Sequence, residues 1–367
     1  MLQPQTKVHR YLILDGLRGV AALVVLAFHL VQQHDLTALP LAGLAVDFFY
    51  LLSGFVIAFA YEGRLQSGAM TLRSFAWVRI TRLYPLAVLG TSAGIALGLL
   101  AAMYKTNVTY HDIAVSGILG LLLLPSYVFP QWATAYPFNM ASWSLTFELV
   151  VNLIYGMIAP YLTSSRLAKL TVCSAVVLVW VAAMNHGIAG GNDQSNFAYG
   201  FGRVMFPFFA GILLYRCRRP QRLAPWISFG LLLSLPVLLL APVHQASLTS
   251  LIYVLLLFPA IIMAGAAIEP GPRLAPVCEW MGALSYPVYI LQGPVLRAGE
   301  ELLKHWQFGM RGSCLFGLAE ASVVAAVAWF ALRFYDKPLQ RRFRMRATPR
   351  LSAATLPKFG YVRPPES

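Results

Sequence analysis

Unbroken apolar runs such as LLLLPSYVF and SFGLLLSLPVLLLA recur along this chain, and they restrict it to folds in which lipid replaces water as the main solvent. A barrel needs polar residues alternating with apolar ones, so continuous runs select helices. With 367 residues, 58% of them hydrophobic and only 11% charged, the chain cannot hide its apolar surface in one soluble core. The expected fold is an all-α polytopic transmembrane helical bundle. The net charge of +14 does not imply a nucleic-acid partner, because the Lys and Arg residues cluster between apolar runs, where membrane orientation accounts for them.

Runs of about spanning length fall at 12–33, 42–61, 84–104, 143–162, 170–186, 201–215, 226–242, 247–267, 283–303 and 313–333, giving about ten spans. No small-residue cleavage site follows the first run, so 12–33 is expected to be retained. A further run at 113–129 is expected to be re-entrant, because only then do the basic groups fall on one side. These are Lys7 and Arg10; Arg64, Arg73, Arg79 and Arg82; Arg166 and Lys169; Arg216 to Arg222; and Arg333 to Arg350. Little beyond Lys105, Arg297, Lys304 and Arg311 lies opposite, which predicts cytoplasmic N- and C-termini. Pro125 and the following FPQWATAYPFN suit irregular backbone. Residues 1–345 read as one integral membrane domain, and the Pro-rich 346–367 as a disordered cytoplasmic tail. Cys173, Cys217, Cys278 and Cys314 are scattered, without metal-ligand or disulfide spacing, so no metal is expected.

Ionisable groups inside such spans are costly and mark functional positions. Arg18 and His29 lie eleven positions apart in LDGLRGVAALVVLAFH, only about 20° out of phase and about 16 Å apart along a helix. Asp15 is one turn from Arg18 and can pair with it. In WVRITRLYP, Arg79 and Arg82 share a helix face suited to phosphate, or serve as a positive-inside anchor. Glu148 sits within an apolar span in SWSLTFELVVNLIY and must be paired, protonated or hydrated. Ser142 and Ser144, just before it, are read first as helix caps. In DFFYLLSGFVIAFAYE, Gly54 beside Ser53 permits close helix approach, and Asp47 is expected to face the same cavity as His29. Tyr286, Tyr289, Gln292 and Asp336 read mainly as packing and interface groups.

Taken in order, LDGLRGVAALVVLAFH, DFFYLLSGFVIAFAY, RITRLYP, SWSLTFELVVNLIY, FFAGILLYR and LSYPVYILQGPV resemble the acyltransferase-3 family of integral membrane O-acyltransferases, over roughly residues 10–340. The resemblance implies a ten-span bundle in the bacterial inner membrane, with acyl-CoA (most simply acetyl-CoA) as the cytoplasmic donor. It implies a carbohydrate acceptor on the far side: exopolysaccharide, lipopolysaccharide or a lipid-linked sugar. By position it makes His29 the catalytic histidine, Arg18 its partner in a basic-residue-then-His motif, and Glu148 an assisting group; Asp15 joins the expected catalytic set through its pairing with Arg18. Arg79 and Arg82, with Ser53 and Gly54, are the expected donor site; Asp47, Ser142 and Trp143 are the expected acceptor site. Many members carry a fused extracytoplasmic esterase-like domain, whereas this sequence reads as a stand-alone form. His29 can act as general base or as a transient acyl carrier. Acylation of a small glycosylated metabolite, or proton-coupled transport of a polar substrate, remains the alternative.

Overall fold

The computed structural model describes residues 11–33, 39–104, 108–218, 223–243, 246–303 and 309–347. Apart from the first two residues of the expected tail, which end a helix, 346–367 lies outside the described residues, as do Lys7, Arg10, Lys105 and Lys304.

Thirteen α-helices order the described chain: α1 Leu12–Gln33, α2 Ala45–Gln66, α3 Leu72–Ala102, α4 Tyr110–Leu121, α5 Ser142–Ile158, α6 Ser164–Met184, α7 Tyr199–Cys217, α8 Ile227–Leu239, α9 Ala246–Ile252, α10 Phe258–Ala266, α11 Leu274–Leu303, α12 Met310–Phe330 and α13 Lys337–Ala347. Among the described residues there is no strand beyond two isolated bridges. Single π-helical segments, Tyr253–Leu257 and Ala331–Asp336, join α9 to α10 and α12 to α13. Seven helical stretches of the described residues are long and apolar enough to cross a membrane. The runs in α7, α8 and α11 fall short of that mark. α8 has only 13 residues, while α7 carries Arg203 and α11 carries Gln292 and two internal prolines.

The expected run 12–33 coincides with α1, but 84–104 is corrected at its start. α3 begins twelve residues earlier, where the Thr71 side chain accepts a hydrogen bond from the Ser74 amide and caps the helix. Arg79 and Arg82 therefore stand inside a helix that continues through Pro85.

The stretch after α3 doubles back. α4 runs antiparallel to α3 from Val108, packed near Ala102, to Leu121, whose carbonyl accepts from the Tyr84 hydroxyl. Irregular backbone then climbs again until Phe138 lies against Gly94 and Gly98 of α3. The segment thus returns to the level from which it started, and its twelve-residue helix reaches only about 18 Å.

α1 lies along α11, and α2 along α7. The second pair is set by reciprocal glycines: a Cβ on Gly54 would meet the Phe208 carbonyl oxygen at 2.0 Å, and one on Gly211 the Leu51 carbonyl oxygen at 2.1 Å. Gly54 is therefore a contact between helix backbones and is corrected as a donor-site residue. Gly54→Ala is expected to cost about 1–3 kcal/mol, read as a lower melting temperature in detergent.

Candidate active site

Two ends of the bundle carry different chemistry, named here by their residues. α1 starts at the arginine end, and its His29 approaches the histidine end.

At the arginine end a narrow cavity of 140 Å³ is lined by Arg18, Ser53, Arg79, Arg82, Ser144, Glu148, Tyr286 and Tyr289, among others. Each guanidinium has a carboxylate. Arg18 donates to Asp15 at 2.8 Å, and also to the Ser285 hydroxyl and the Gly282 carbonyl. It is therefore fixed to α11, three turns along α1 from His29. Arg79 donates to Glu148 at 2.9 Å, and the same carboxylate oxygen accepts from Ser53 at 2.7 Å. Arg82 meets Asp336 at 3.6 Å, a longer pair in which Arg82 keeps 38% of its side chain exposed. The π-helical segment delivers Asp336, which is 1% exposed and also accepts from Gln340. The two arginines are thus unequal: Arg79 is committed to Glu148, while Arg82 retains donors toward the opening.

At the histidine end, His29 lines two larger chambers, of 800 Å³ and 670 Å³. Gln32, Met140, Ala141 and Gln292 line both as well, so the imidazole stands where the chambers meet. The 670 Å³ chamber shares Val46 and Tyr289 with the arginine-end cavity. Tyr289 closes that boundary; its hydroxyl is 2.7 Å from Ser144 Oγ, and the Tyr50 hydroxyl donates to the Ser144 carbonyl at 3.1 Å.

The expected acceptor residues divide. Trp143 lines the 670 Å³ chamber, with the Arg203 guanidinium 5.2 Å from its ring centroid. Asp47 is corrected: it is fully buried and held by Arg203 through bonds of 2.9 and 2.6 Å, so it faces neither chamber. Ser142 is buried and faces a small gap beside Thr91 and Asn139, away from His29. Neither Ser142 nor Ser144 caps α5; Ser144 Oγ turns back to the Ala141 carbonyl and to Tyr289. Sequence reasoning missed Arg203, although a single arginine in the apolar GFGRVMFPFF had to have a buried partner. It also took Tyr289, Gln292 and Asp336 for packing groups, and all three line or support the cavities.

Residues 11–333 match the family described as "Acyltransferase domain", acyltransferase-3. The chain belongs to the acyltransferase-3 family. It is 34% identical over 194 residues to protein 2 in the picA locus of Rhizobium radiobacter, covering 49% of this chain and 98% of that one. It is 26% identical to the acyltransferase MdmB of Streptomyces mycarofaciens, covering 85% of this chain and 87% of MdmB. It is also 25% identical to YrhL of Bacillus subtilis, named for peptidoglycan O-acetyltransferase activity, over 92% of this chain and 56% of YrhL. No solved structure is significantly similar to the chain. The family, together with the apolar helices, makes this a multi-pass membrane acyltransferase.

Proposed function

We propose that this acyltransferase moves an acyl group, most simply acetyl, from acyl-CoA at the arginine end to a hydroxyl of a carbohydrate acceptor at the histidine end. The arrangement supporting this reading is a cationic mouth and an imidazole-lined junction on either side of one shared wall, Val46 and Tyr289. In this reading the arginine end faces the cytoplasm, which its basic groups support, and the protein sits in the bacterial inner membrane.

Arg82, whose pair with Asp336 is long and half open, offers the N–H groups that a CoA phosphate needs. Ser53 and Arg79 keep Glu148 satisfied beside the path. The acyl-bearing arm passes the Tyr289–Ser144 contact to reach His29. A ring nitrogen of His29 then takes the proton of the acceptor hydroxyl as its oxygen bonds to the thioester carbonyl carbon. The C–S bond breaks, and the imidazolium returns the proton to the departing CoA sulfur.

Purified protein supplied with acetyl-CoA and a glycan extract from the host's membranes tests this reading. Release of free CoA thiol, matched by ester formed on the glycan, supports it. A transporter releases no CoA. Arg82→Ala is expected to weaken CoA binding by about 10–100-fold, the value of one or two charge-assisted hydrogen bonds. Arg79→Ala, which strands Glu148, is instead expected to lower the melting temperature. Calorimetric binding and thermal unfolding separate the two.

A further inference from the structure

The wall of the 800 Å³ chamber that His29 lines includes two amides with an unmet hydrogen-bond requirement. Asn139 and Gln292 are 3% and 2% exposed, and both line that chamber with His29 and Gln32. Their nitrogen ends are spoken for: Asn139 Nδ2 donates to the Ile290 carbonyl at 3.2 Å, and Gln292 Nε2 to the Tyr289 carbonyl at 3.2 Å. Their oxygens, Oδ1 and Oε1, have no partner.

The orientation of Asn139 is dictated by α11. Pro294 lies inside this helix and has no N–H, so the carbonyl four residues before it, that of Ile290, loses its helical donor. Asn139 Nδ2 supplies the missing bond, and a flipped amide would set two acceptors against each other. Oδ1 must therefore be the free end. It points toward Gly293, where a side chain would touch it at 3.5 Å and where glycine leaves it uncovered. An orphaned buried carbonyl oxygen costs about 1–3 kcal/mol, and two of them on one wall ask for hydrogen-bond donors.

We propose that Asn139 and Gln292 form the acceptor subsite, accepting hydrogen bonds from two hydroxyls of a polyhydroxylated ring while His29 takes the proton of a third. The inference rests on the acyl-transfer reading and adds to it which residues hold the acceptor. The two oxygens lie just beneath the chamber wall, and a small side-chain rotation on binding brings each to the surface. A ligand that meets two acceptor oxygens and a base together is one rich in O–H groups, a sugar.

Gln292→Met tests it, since methionine keeps the length and the apolar stem and removes the unpaired oxygen. The variant is assayed with acetyl-CoA and the same membrane glycan extract, titrated from limiting to saturating amounts. The expected result is a rise of about tenfold in the half-saturating acceptor amount, one lost hydrogen bond. CoA affinity should be unchanged, and the melting temperature equal to or above that of the wild type. An unchanged acceptor titration overturns the subsite. So does a fall in melting temperature with parallel losses in CoA and acceptor binding, the mark of a purely structural amide. If the wild type releases no CoA from acetyl-CoA, it is the acyl-transfer reading that fails, and the subsite falls with it before any variant is compared.

Discussion

Replacing His29 with glutamine is expected to reduce acyl transfer by about 10²–10⁴-fold, the range supplied by a positioned general base, with CoA affinity unchanged. The separation of effects follows from position. His29 lines both chambers of the histidine end, whereas the groups proposed to hold the donor line the narrow cavity beyond Tyr289. Arg18, eleven residues earlier on α1, cannot take over as base, because it is always protonated and already anchored to Asp15, Ser285 and Gly282. No carboxylate among the described residues pairs with His29, so its ring is oriented by neighbours such as Phe28 and Gln32 rather than by a triad acid. Glutamine keeps hydrogen-bonding capacity but cannot accept the proton. Transfer measured with radiolabelled acetyl-CoA, beside CoA binding by calorimetry, checks both halves. Wild-type turnover in the variant removes His29 from the chemistry. Labelled wild-type protein formed without acceptor, and absent in the variant, makes His29 an acyl carrier instead.

How far the sequence could be read depended on whether the cause of a feature was local. The first helix was legible to the residue, since an apolar run bounded by polar groups defines Leu12–Gln33 without outside help. The Asp15–Arg18 pair was equally legible, lying one turn apart. The start of α3 was not, because Pro85 looks like a helix boundary while the true signal, the Thr71 cap, lies in polar sequence upstream. Long-range partners were invisible: Asp47 meets Arg203 across 156 positions, and Glu62 meets Arg216 across 154. An unpaired carboxylate in an apolar run reads as a site, and only the fold shows that it has a counter-ion. Gln292 erred the other way. It looked like packing because nothing in SYPVYILQGPV reveals that Pro294 diverts Asn139 to α11 and leaves two amide oxygens on one wall. Ser53, Arg79 and Glu148 were separately marked in sequence, and the fold brings them onto one carboxylate.

Asp47→Ala is expected to destabilise the protein by about 3–5 kcal/mol, the cost of leaving a buried charge without its partner. Arg203 is 5% exposed and has little else that carries negative charge. Its remaining bonds go to the Gly43 and Gly190 carbonyls, with Trp143 beside the guanidinium. Removing the carboxylate leaves these neutral acceptors to hold a cation out of water. The pair also ties the start of α2 to α7, on the helix interface where Gly54 and Gly211 allow the closest approach. Unfolding in detergent should therefore begin at a distinctly lower temperature in Asp47→Ala and less so in Asp47→Asn, which keeps an acceptor for one guanidinium bond. The double variant Asp47→Leu with Arg203→Met is the decisive comparison, since removing both charges together is often neutral or stabilising. Recovery of wild-type melting in the double variant identifies an ion pair whose worth lies in mutual neutralisation. A substrate-binding Asp47, as its place beside His29 in the membrane first suggested, gives another pattern: normal melting in Asp47→Ala, a raised half-saturating acceptor amount, and no rescue by Arg203→Met. Because Arg203 and Trp143 together form part of the chamber that His29 lines, the destabilised single variant should also lose transfer. Only the double variant distinguishes that loss from a missing substrate contact, by restoring the fold without restoring the charge.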